Sequence, residues 1–351
     1  MTILRRKFLQ QLTMAAALAP LGAYATDFPS PSGIQKKPLL PQRLQAGQTI
    51  GIVSPSGAVY EKEPYQVAIE ALQAMGFQVK LSTSAQGRYG HLAGTDTERA
   101  EEINSMFADP DIHGIICLRG GSGAARILDK LDYKTIAKNP KVFVGYSDIT
   151  ALLLAIYTKT GLITFHGPVA TSSWNAFSYG YFKRLLMDGE TVCLKNPEKK
   201  EGELVQTENR IRTIHTGEAT GILAGGNLAV LSDLIGTGYL PDWKGKILFL
   251  EDIGEEIYRM DRMFSHLKLA GILSELKGFV FGKCTRCSPG KGYGSLTLEE
   301  VIDDHIKPLN IPAFSGAMIG HISEKFTIPV GIEARINADK GTIELLQAAV
   351  Q

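Results

Sequence analysis

The fold is decided by the stretch Lys141-Val-Phe-Val-Gly-Tyr-Ser147-Asp-Ile-Thr-Ala-Leu-Leu-Leu-Ala-Ile156. Its apolar residues 142–144 predict a strand covered on both faces, and its apolar C-terminal part is typical of a buried helix. Because Gly145 lets the backbone turn sharply, Ser147 is expected at the tip of the turn, above the free N–H groups of the helix. This pattern predicts a nucleophile elbow. A plainer interpretation is that Ser147 or Asp148 only caps the helix.

Strand and helix patterns alternate along the rest of the N-terminal half. Strands are predicted at residues 48–57, 78–82, 114–118 and 162–166, and helices at residues 64–75, 95–107 and 124–131. The second of these helices opens with a capping box, Thr95-Asp-Thr-Glu98. This order predicts an α/β fold, with a mostly parallel sheet covered by helices and a ligand cleft beyond the carboxyl ends of the strands.

The alternation fails between about residues 172 and 217, where the stretch 194–202 is polar and charged. We place a domain boundary there. The predicted organisation is an N-terminal α/β domain at residues 45–172, a linker region at 173–216 and a C-terminal domain at 217–351. Strand and helix patterns of the last part, among them a strand at 246–250 and an amphipathic helix at 257–269, predict a mixed domain.

The N-terminus has the features of an export signal. Arg5 and Arg6 precede a short apolar segment that ends in small residues, Ala23-Tyr-Ala25. The segment is shorter than the ~20 residues that span a bilayer. We therefore predict a twin-arginine signal peptide at residues 1–25, cleaved after Ala25, and a mature protein in the periplasm or cell envelope.

The charge balance argues against two classes of partner. The chain has 37 Lys and Arg against 36 Asp and Glu, a net charge of +1. Without a basic block, no nucleic-acid partner is expected. No segment after the signal is apolar over a length that crosses a bilayer, so no stable membrane association is expected after cleavage.

Two of the four cysteines form a Cys-x-x-Cys motif, Cys284 and Cys287. A structural zinc site would need two further ligands, and Cys117 and Cys193 are far apart in the sequence. A redox motif would open a helix, whereas this one follows a strand pattern. A local disulfide and two free thiols remain as alternatives, and no metal is expected.

A glycine loop, Arg119-Gly-Gly-Ser-Gly123, follows the third predicted strand. It lacks the Lys-Ser/Thr of a P-loop and does not fit the dinucleotide pattern, so nucleotide binding is disfavoured. Its functional interpretation is a supply of backbone N–H groups beside Ser147, as in an oxyanion hole. Its structural interpretation is a tight turn between strand and helix.

One of the seven histidines differs from the rest. His321 ends an apolar run, follows Gly320 and precedes polar residues, so it is expected at an exposed edge, whereas the other six have structural interpretations. Two adjacent acids, Glu251 and Asp252, follow the strand pattern at 246–250. The residues do not indicate which carboxylate faces a cleft.

Over essentially the whole mature chain, the sequence resembles the L,D-carboxypeptidases of peptidoglycan recycling and the related microcin-immunity peptidases, serine peptidases of family S66. The motifs that carry the resemblance are Ala93-Gly-Thr-Asp-Thr-Glu-Arg99, Arg119-Gly-Gly-Ser-Gly123, Gly145-Tyr-Ser-Asp-Ile-Thr150, Gly225-Gly-Asn-Leu228, Leu250-Glu-Asp-Ile253, Tyr258-Arg-Met-Asp-Arg-Met263 and Ile319-Gly-His321. The resemblance implies a flavodoxin-like N-terminal domain, a smaller mixed α/β C-terminal domain and commonly a homodimer.

The resemblance also implies the roles of the site residues. Ser147 is the expected nucleophile, His321 the base and Glu251 the acid that orients it. The expected oxyanion donors are the backbone N–H groups of Gly121 and Asp148. No cofactor is expected, because a Ser-Glu-His triad performs acyl transfer without one.

The function implied is that of a serine carboxypeptidase that removes the terminal D-alanine from peptidoglycan tetrapeptides through an acyl-enzyme. A first alternative is an immunity-type peptidase that cleaves a peptidyl adenylate, for which Trp174, Phe177, Tyr179 and Tyr181 are the candidate stacking residues. A second alternative, from another class, is a two-domain periplasmic ligand-binding protein, which would need no triad.

Overall fold

The computed structural model describes residues 38–83, 85–198, 202, 204–289 and 294–351. The predicted signal peptide at residues 1–25 lies outside this part of the chain. Within the described part, no helix combines the length and the apolar character needed to span a membrane.

The described residues form fourteen strands and eight α-helices. The strands are β1 (Thr49–Val53), β2 (Gln78–Leu81), β3 (Ile112–Cys117), β4 (Val142–Gly145), β5 (Thr164–His166), β6 (Cys193–Lys195), β7 (Arg212–His215), β8 (Glu218–Asn227), β9 (Ile247–Ile253), β10 (Gly278–Thr285), β11 (Ala313–Ser315), β12 (Ile328–Val330), β13 (Glu333–Asn337) and β14 (Thr342–Leu345). The helices are α1 (Glu63–Ala74), α2 (Asp96–Ala108), α3 (Tyr133–Lys138), α4 (Thr150–Thr160), α5 (Ala176–Leu186), α6 (Leu228–Asp233), α7 (Ile257–Leu269) and α8 (Leu298–Ile306). Short 3₁₀ helices lie at Ala124–Lys130, Ser147–Ile149, Leu273–Glu275 and Lys307–Leu309.

The first sheet is built mainly from the alternating strands of the N-terminal half. Its six strands lie in the order β2-β1-β3-β4-β5-β12. Strands β1 to β5 are parallel, and β12 runs antiparallel to β5. The order 2-1-3-4-5 is that of a flavodoxin-like sheet. The predicted α/β class with a mostly parallel first sheet is therefore confirmed.

The second sheet has eight strands in the order β6-β14-β13-β8-β9-β10-β11-β7. Its central strands β8 to β11 are parallel, whereas the strands on either side of them are antiparallel. This arrangement agrees with the mixed C-terminal domain expected from the sequence.

Helix α4 lies where the two sheets meet. Its residues 151–156 are all fully buried. The helix contacts β4 and β5 of the first sheet as well as β8 and α6 of the C-terminal half. A helix that is apolar on all sides is stable only when it is covered on all sides. The turn that precedes α4 is therefore held close to both sheets.

The predicted linker region differs most from the structure. It contains α5, β6 and β7, and the two strands form the opposite edges of the second sheet. Helix α5 buries Phe182, Leu185 and Leu186 on one face. The helical pattern of apolar residues in α5 is short, and a polar stretch follows it. The alternation of strand and helix patterns therefore did not indicate this helix. The described residues of the region, 173–198, 202 and 204–216, thus include elements of the packed structure.

Candidate active site

Ser147 lies at a strained turn between β4 and α4. It opens the 3₁₀ helix Ser147–Ile149, and its φ of 64° lies in the left-handed region. For a residue other than glycine this conformation costs about 1–3 kcal/mol, and such strain is concentrated at functional sites. The N-cap residue of α4 is Ile149, which makes no side-chain cap hydrogen bond. The interpretation that Ser147 or Asp148 only caps this helix is therefore wrong.

The side chain of Asp148 connects the loops around this turn. Its Oδ2 accepts hydrogen bonds from Ser56 Oγ at 2.5 Å and from Ala124 N at 2.8 Å. Ser56 follows β1, and Ala124 begins the 3₁₀ helix after β3. One buried carboxylate thus fixes three neighbouring strand ends of the first sheet relative to one another.

The glycine loop after β3 packs directly against Ser147. A Cβ at Gly120 would lie 2.8 Å from Ser147 Cβ and 3.4 Å from Asp148 N. Among the described residues, the backbone hydrogen bonds outside helices and strands include none from the Gly121 N–H. Asp148 is the second residue of a 3₁₀ helix, so its N–H has no acceptor one turn earlier. The two N–H groups predicted to form an oxyanion hole therefore belong to segments in contact with each other.

The second sheet presents a histidine paired with a buried acid. Glu251 ends the apolar part of β9, and its Oε2 lies 2.8 Å from His321 Nδ1. The Glu251 side chain is fully buried, whereas that of His321 is 14% exposed. A Cβ at Gly320 would lie 2.8 Å from Glu251 Oε2, so a glycine before the histidine permits this close approach. With Nδ1 bound to the acid, Nε2 is the nitrogen left to accept a proton.

The two adjacent acids share the Asn227 side chain but otherwise have different partners. Asp252 accepts hydrogen bonds from Asn227 Nδ2 at 3.0 Å, Ala229 N at 3.0 Å and Ile253 N at 2.8 Å. Burial, and to a lesser degree the charge of Glu251, raises the pKa of the Asp252 carboxyl to about 7. Asp252 therefore supports the start of α6, and Glu251 is the acid that reaches the histidine.

Direct contacts bring the serine turn and the Glu251–His321 pair together. The rings of Tyr146 and His321 have centroids 4.9 Å apart. On the other side of the turn, Asn227 N donates a hydrogen bond to Thr150 Oγ1 at 3.0 Å. A Cβ at Gly226 would lie 2.5 Å from the same oxygen, so the end of β8 is pressed against the start of α4.

Two family models match this chain, and they divide the site between them. The LD-carboxypeptidase N-terminal domain matches residues 50–167, and the LD-carboxypeptidase C-terminal domain matches residues 220–336. The chain belongs to the LD-carboxypeptidase family. The first match contains the serine turn and the glycine loop, and the second contains the acid and the histidine. The family predicted from the motifs is thus confirmed, and the protein is a peptidase of this family.

Relatives in the LD-carboxypeptidase family bear two kinds of name. A probable murein peptide carboxypeptidase of Bacillus subtilis is 36% identical over 307 residues, which cover 86% of this chain and 92% of the relative. The microcin C7 self-immunity protein MccF of Escherichia coli is 33% identical over 340 residues, which cover 90% of this chain and 97% of the relative. A solved muramoyltetrapeptide carboxypeptidase of Oxalobacter formigenes has a TM-score of 0.71 and 30% identity, and the match covers 85% of this chain and 98% of that one. These names support carboxypeptidase activity.

Three residues near the site of this LD-carboxypeptidase were not singled out as functional from the sequence. Asn227 is buried and bridges the two acids, with its Nδ2 3.3 Å from Glu251 Oε1 and 3.0 Å from Asp252 Oδ1. The motif at 225–228 could have indicated this role. His166 and Lys325 are the other two, and no local pattern marks them, because their positions depend on packing between the sheets.

His166 is a buried neutral imidazole behind the serine turn. Its ring packs edge-on against Tyr146 and Phe249, with centroids 6.1 and 5.6 Å apart. Neither ring nitrogen has a hydrogen-bond partner among the described residues. Burial lowers the pKa of His166 to about 4, so the ring carries no charge at neutral pH. The sequence placed it at a strand end, where it lies as the last residue of β5.

The Cys-x-x-Cys motif forms a disulfide between Cys284 and Cys287, with Cα atoms 5.5 Å apart. Of the two alternatives that the sequence left open, the structure has the disulfide. Thr285, within this loop, donates a hydrogen bond from Oγ1 to the His321 carbonyl at 2.9 Å. Among the described residues, no group of three or more His, Cys, Asp or Glu side chains is placed to hold a metal ion.

Proposed function

We propose that the protein is a serine L,D-carboxypeptidase that removes the terminal D-alanine from peptidoglycan tetrapeptides. The observation that carries the proposal is the His321–Glu251 hydrogen bond of 2.8 Å, on a histidine whose ring packs against the residue before Ser147. The murein and muramoyltetrapeptide carboxypeptidases among the relatives support this substrate class.

In the proposed acylation step, His321 Nε2 takes the hydroxyl proton of Ser147 while the serine oxygen attacks the carbonyl carbon of the scissile bond. Glu251 keeps the imidazole in the productive tautomer and stabilises its positive charge. The N–H groups of Gly121 and Asp148 would stabilise the developing oxyanion. The bond to D-alanine then breaks, and the leaving amine takes the proton from His321. An ester between Ser147 and the remaining peptide is left.

Deacylation repeats the same proton path with water. His321 removes a proton from a water molecule as its oxygen attacks the ester carbonyl, and it returns the proton to Ser147 as the tripeptide leaves. The strained turn serves both steps, because it keeps the serine oxygen at one position while the substrate changes.

The decisive test is to incubate the purified protein with defined muropeptides and to weigh the products. We expect loss of one D-alanine from tetrapeptides and no change in tripeptides. Labelling with a fluorophosphonate, with Ser147→Ala as control, separates an enzyme from the ligand-binding alternative, since only an activated serine is labelled. An unlabelled wild-type protein that leaves every muropeptide intact would contradict the proposal.

The second candidate is an immunity-type peptidase, favoured by the similarity to MccF, which has been solved in complex with aspartyl sulfamoyl adenosine. All four candidate stacking residues, Trp174, Phe177, Tyr179 and Tyr181, are partly buried and pack against the apolar core. Trp174 Nε1 donates to the Ala170 carbonyl at 3.1 Å, and Phe177 and Tyr181 pack against Phe326. We therefore rank this function second. Cleavage of a peptidyl sulfamoyl adenosine faster than any muropeptide would reverse the ranking.

We also propose that the enzyme is exported, which suits a cell-wall substrate. The support is the sequence of the N-terminus, where Arg5 and Arg6 precede a short apolar segment. Cell fractionation of the wild type and of the double variant Arg5→Lys, Arg6→Lys tests it, since loss of export is expected only in the variant. The homodimer implied by the resemblance stays a prediction that sedimentation would test.

A further inference from the structure

Lys325 brings a buried cation to the active site. It lies four residues after His321, is 4% exposed, and its Nζ lies 4.9 Å from the centroid of the Tyr146 ring. Among the described residues, no hydrogen bond from this ammonium group to an acceptor is found; its backbone N–H is bound to Ser178 Oγ. Burial lowers the pKa of Lys325 to about 8 while Glu251 opposes the shift, so the group is mostly charged at neutral pH.

A second buried lysine differs from Lys325 in the hydrogen-bond acceptors of its ammonium group. Lys141 is 8% exposed, and its ammonium group donates to the carbonyl oxygens of Met106, at 2.9 Å, and Asp109. These acceptors replace the water that burial removes. Among the described residues, the Lys325 ammonium group contacts the face of an aromatic ring and no hydrogen-bond acceptor, which compensates a buried cation incompletely. An anionic ligand beside Tyr146 would supply the acceptor that this group lacks.

We propose that Lys325 binds the terminal carboxylate of the peptide substrate and thereby restricts the enzyme to the last peptide bond. This inference rests on the proposed function and adds the residue that selects a chain end. The ligand class is an α-carboxylate, carried by the D-amino acid that leaves.

The distances suit this role. Three bonds, each about 1.3–1.5 Å long, separate the scissile carbonyl carbon from the carboxylate carbon of the last residue, so the two lie at most about 4 Å apart. Tyr146 directly precedes Ser147, and its ring contacts His321 as well as the Lys325 ammonium group. A cation on this ring is therefore within reach of the carboxylate when Ser147 attacks.

Arg119 is the competing cation, since it precedes the glycine loop. Its side chain is exposed, and two of its nitrogens donate to backbone carbonyls, Nε to Gly120 at 3.0 Å and a terminal nitrogen to Ala58, which follows β1, at 3.2 Å. A solvated charge of this kind attracts a carboxylate weakly. The desolvated charge of Lys325 is the stronger receptor.

The experiment compares a tetrapeptide ending in D-alanine with the same peptide ending in D-alaninamide. For the wild type we expect kcat/KM to favour the free acid by about 100-fold, the size expected for one desolvated ion pair. Lys325→Met should bring the ratio close to one, mainly through KM for the acid, and Lys325→Arg should restore part of it. The matched control is Lys246→Met, a lysine 6% exposed whose pKa is also lowered by burial, directly before the other end of β9. Its ratio should equal that of the wild type.

If Lys325→Met melts like the wild type and keeps the wild-type ratio of kcat/KM for acid over amide, the inference is overturned. The inference is also overturned if this preference for the acid is lost in Arg119→Met and kept in Lys325→Met. If Lys325→Met does not fold, Lys325→Gln provides the same comparison.

A wild type that cleaves neither peptide would count against the proposed function. Titration of D-alanine and D-alaninamide into Ser147→Ala then still tests the subsite. Binding of the acid alone, abolished by the Lys325 variant, supports it, and equal binding of both overturns it.

Discussion

The two sheets present their site residues by different physical means. At the carboxyl end of β4 in the first sheet, Ser147 is positioned by its own backbone, with a φ of 64° in a turn that glycine neighbours enclose. Beside β9 of the second sheet, His321 is positioned by a hydrogen bond to Glu251, whose side chain is fully buried. Changes on the serine side should therefore act through steric fit, and changes on the histidine side through charge and hydrogen bonding.

The largest effect is expected on the serine side of this comparison, from removal of the nucleophile. Ser147→Ala removes the hydroxyl and leaves the turn, whose geometry is set by the surrounding loops. Loss of the nucleophile should lower kcat by roughly 10⁶, as in a known serine protease triad, with little change in the melting temperature. Tetrapeptide turnover and thermal unfolding measure both. Activity within tenfold of wild type would exclude Ser147 as the nucleophile.

The second prediction concerns the histidine side, where Glu251 orients His321. Glu251→Gln replaces an acceptor with an amide that favours the wrong imidazole tautomer, so kcat should fall by roughly 10⁴. Asp252→Asn should have a much smaller effect, because Asp252 is bound to Asn227 and to backbone N–H groups near α6. The kcat of the two variants on one tetrapeptide decides the matter, and a reversed order would assign the acid role to Asp252.

The third prediction tests whether steric contact with the glycine loop positions Ser147. Gly120→Ala adds a methyl group that would lie 2.8 Å from Ser147 Cβ, so the serine must shift. A displacement of about 1 Å at a reacting group can cost 10²-fold in rate, and we expect a loss of that size in kcat. Gly180→Ala is the control, since a Cβ there meets no atom within 4 Å. Equal activity in the two variants would show that the glycine loop does not position the nucleophile.

The smallest effect is expected at the disulfide. The double variant Cys284→Ser, Cys287→Ser should keep activity close to wild type, because Thr285 remains paired with Ile253 in the sheet and can still donate to His321. A sequence separation of 3 closes a very short loop, so the stabilisation lost should be below the ~3 kcal/mol of a 15-residue loop. Melting with and without reductant measures it. Stoichiometric zinc in the purified protein, with activity removed by a chelator, would contradict this picture.

Local patterns were enough to predict the serine turn and the approximate positions of the first five strands along the chain. The apolar strand, Gly145 and the apolar helix are contiguous, and each is specified by residues next to one another. The choice between Glu251 and Asp252 was different, because adjacent side chains on a strand point to opposite faces and the sequence does not state which face meets the histidine. The family resemblance, and not the pattern, supplied that choice.

The roles of His166 and Lys325 and the packing of α5 lay beyond sequence reasoning for another reason. Whether a charged or titratable side chain is buried depends on which elements cover it, and here the cover comes from the opposite half of the chain. Lys325 reaches Tyr146 across almost 180 residues of sequence, a contact that no periodicity encodes. Burial of polar groups between two sheets is a property of the assembled fold.

Strand β12 has a consequence for whether the N-terminal half can fold alone. It leaves the C-terminal half, begins seven residues after His321 and pairs with β5, so that Ile328 lies opposite His166. Removing the C-terminal half would take this strand out of the first sheet and expose the backbone edge of β5, which invites aggregation. The N-terminal domain expressed alone is therefore expected to aggregate, although it contains the serine turn and five of the six strands of its sheet.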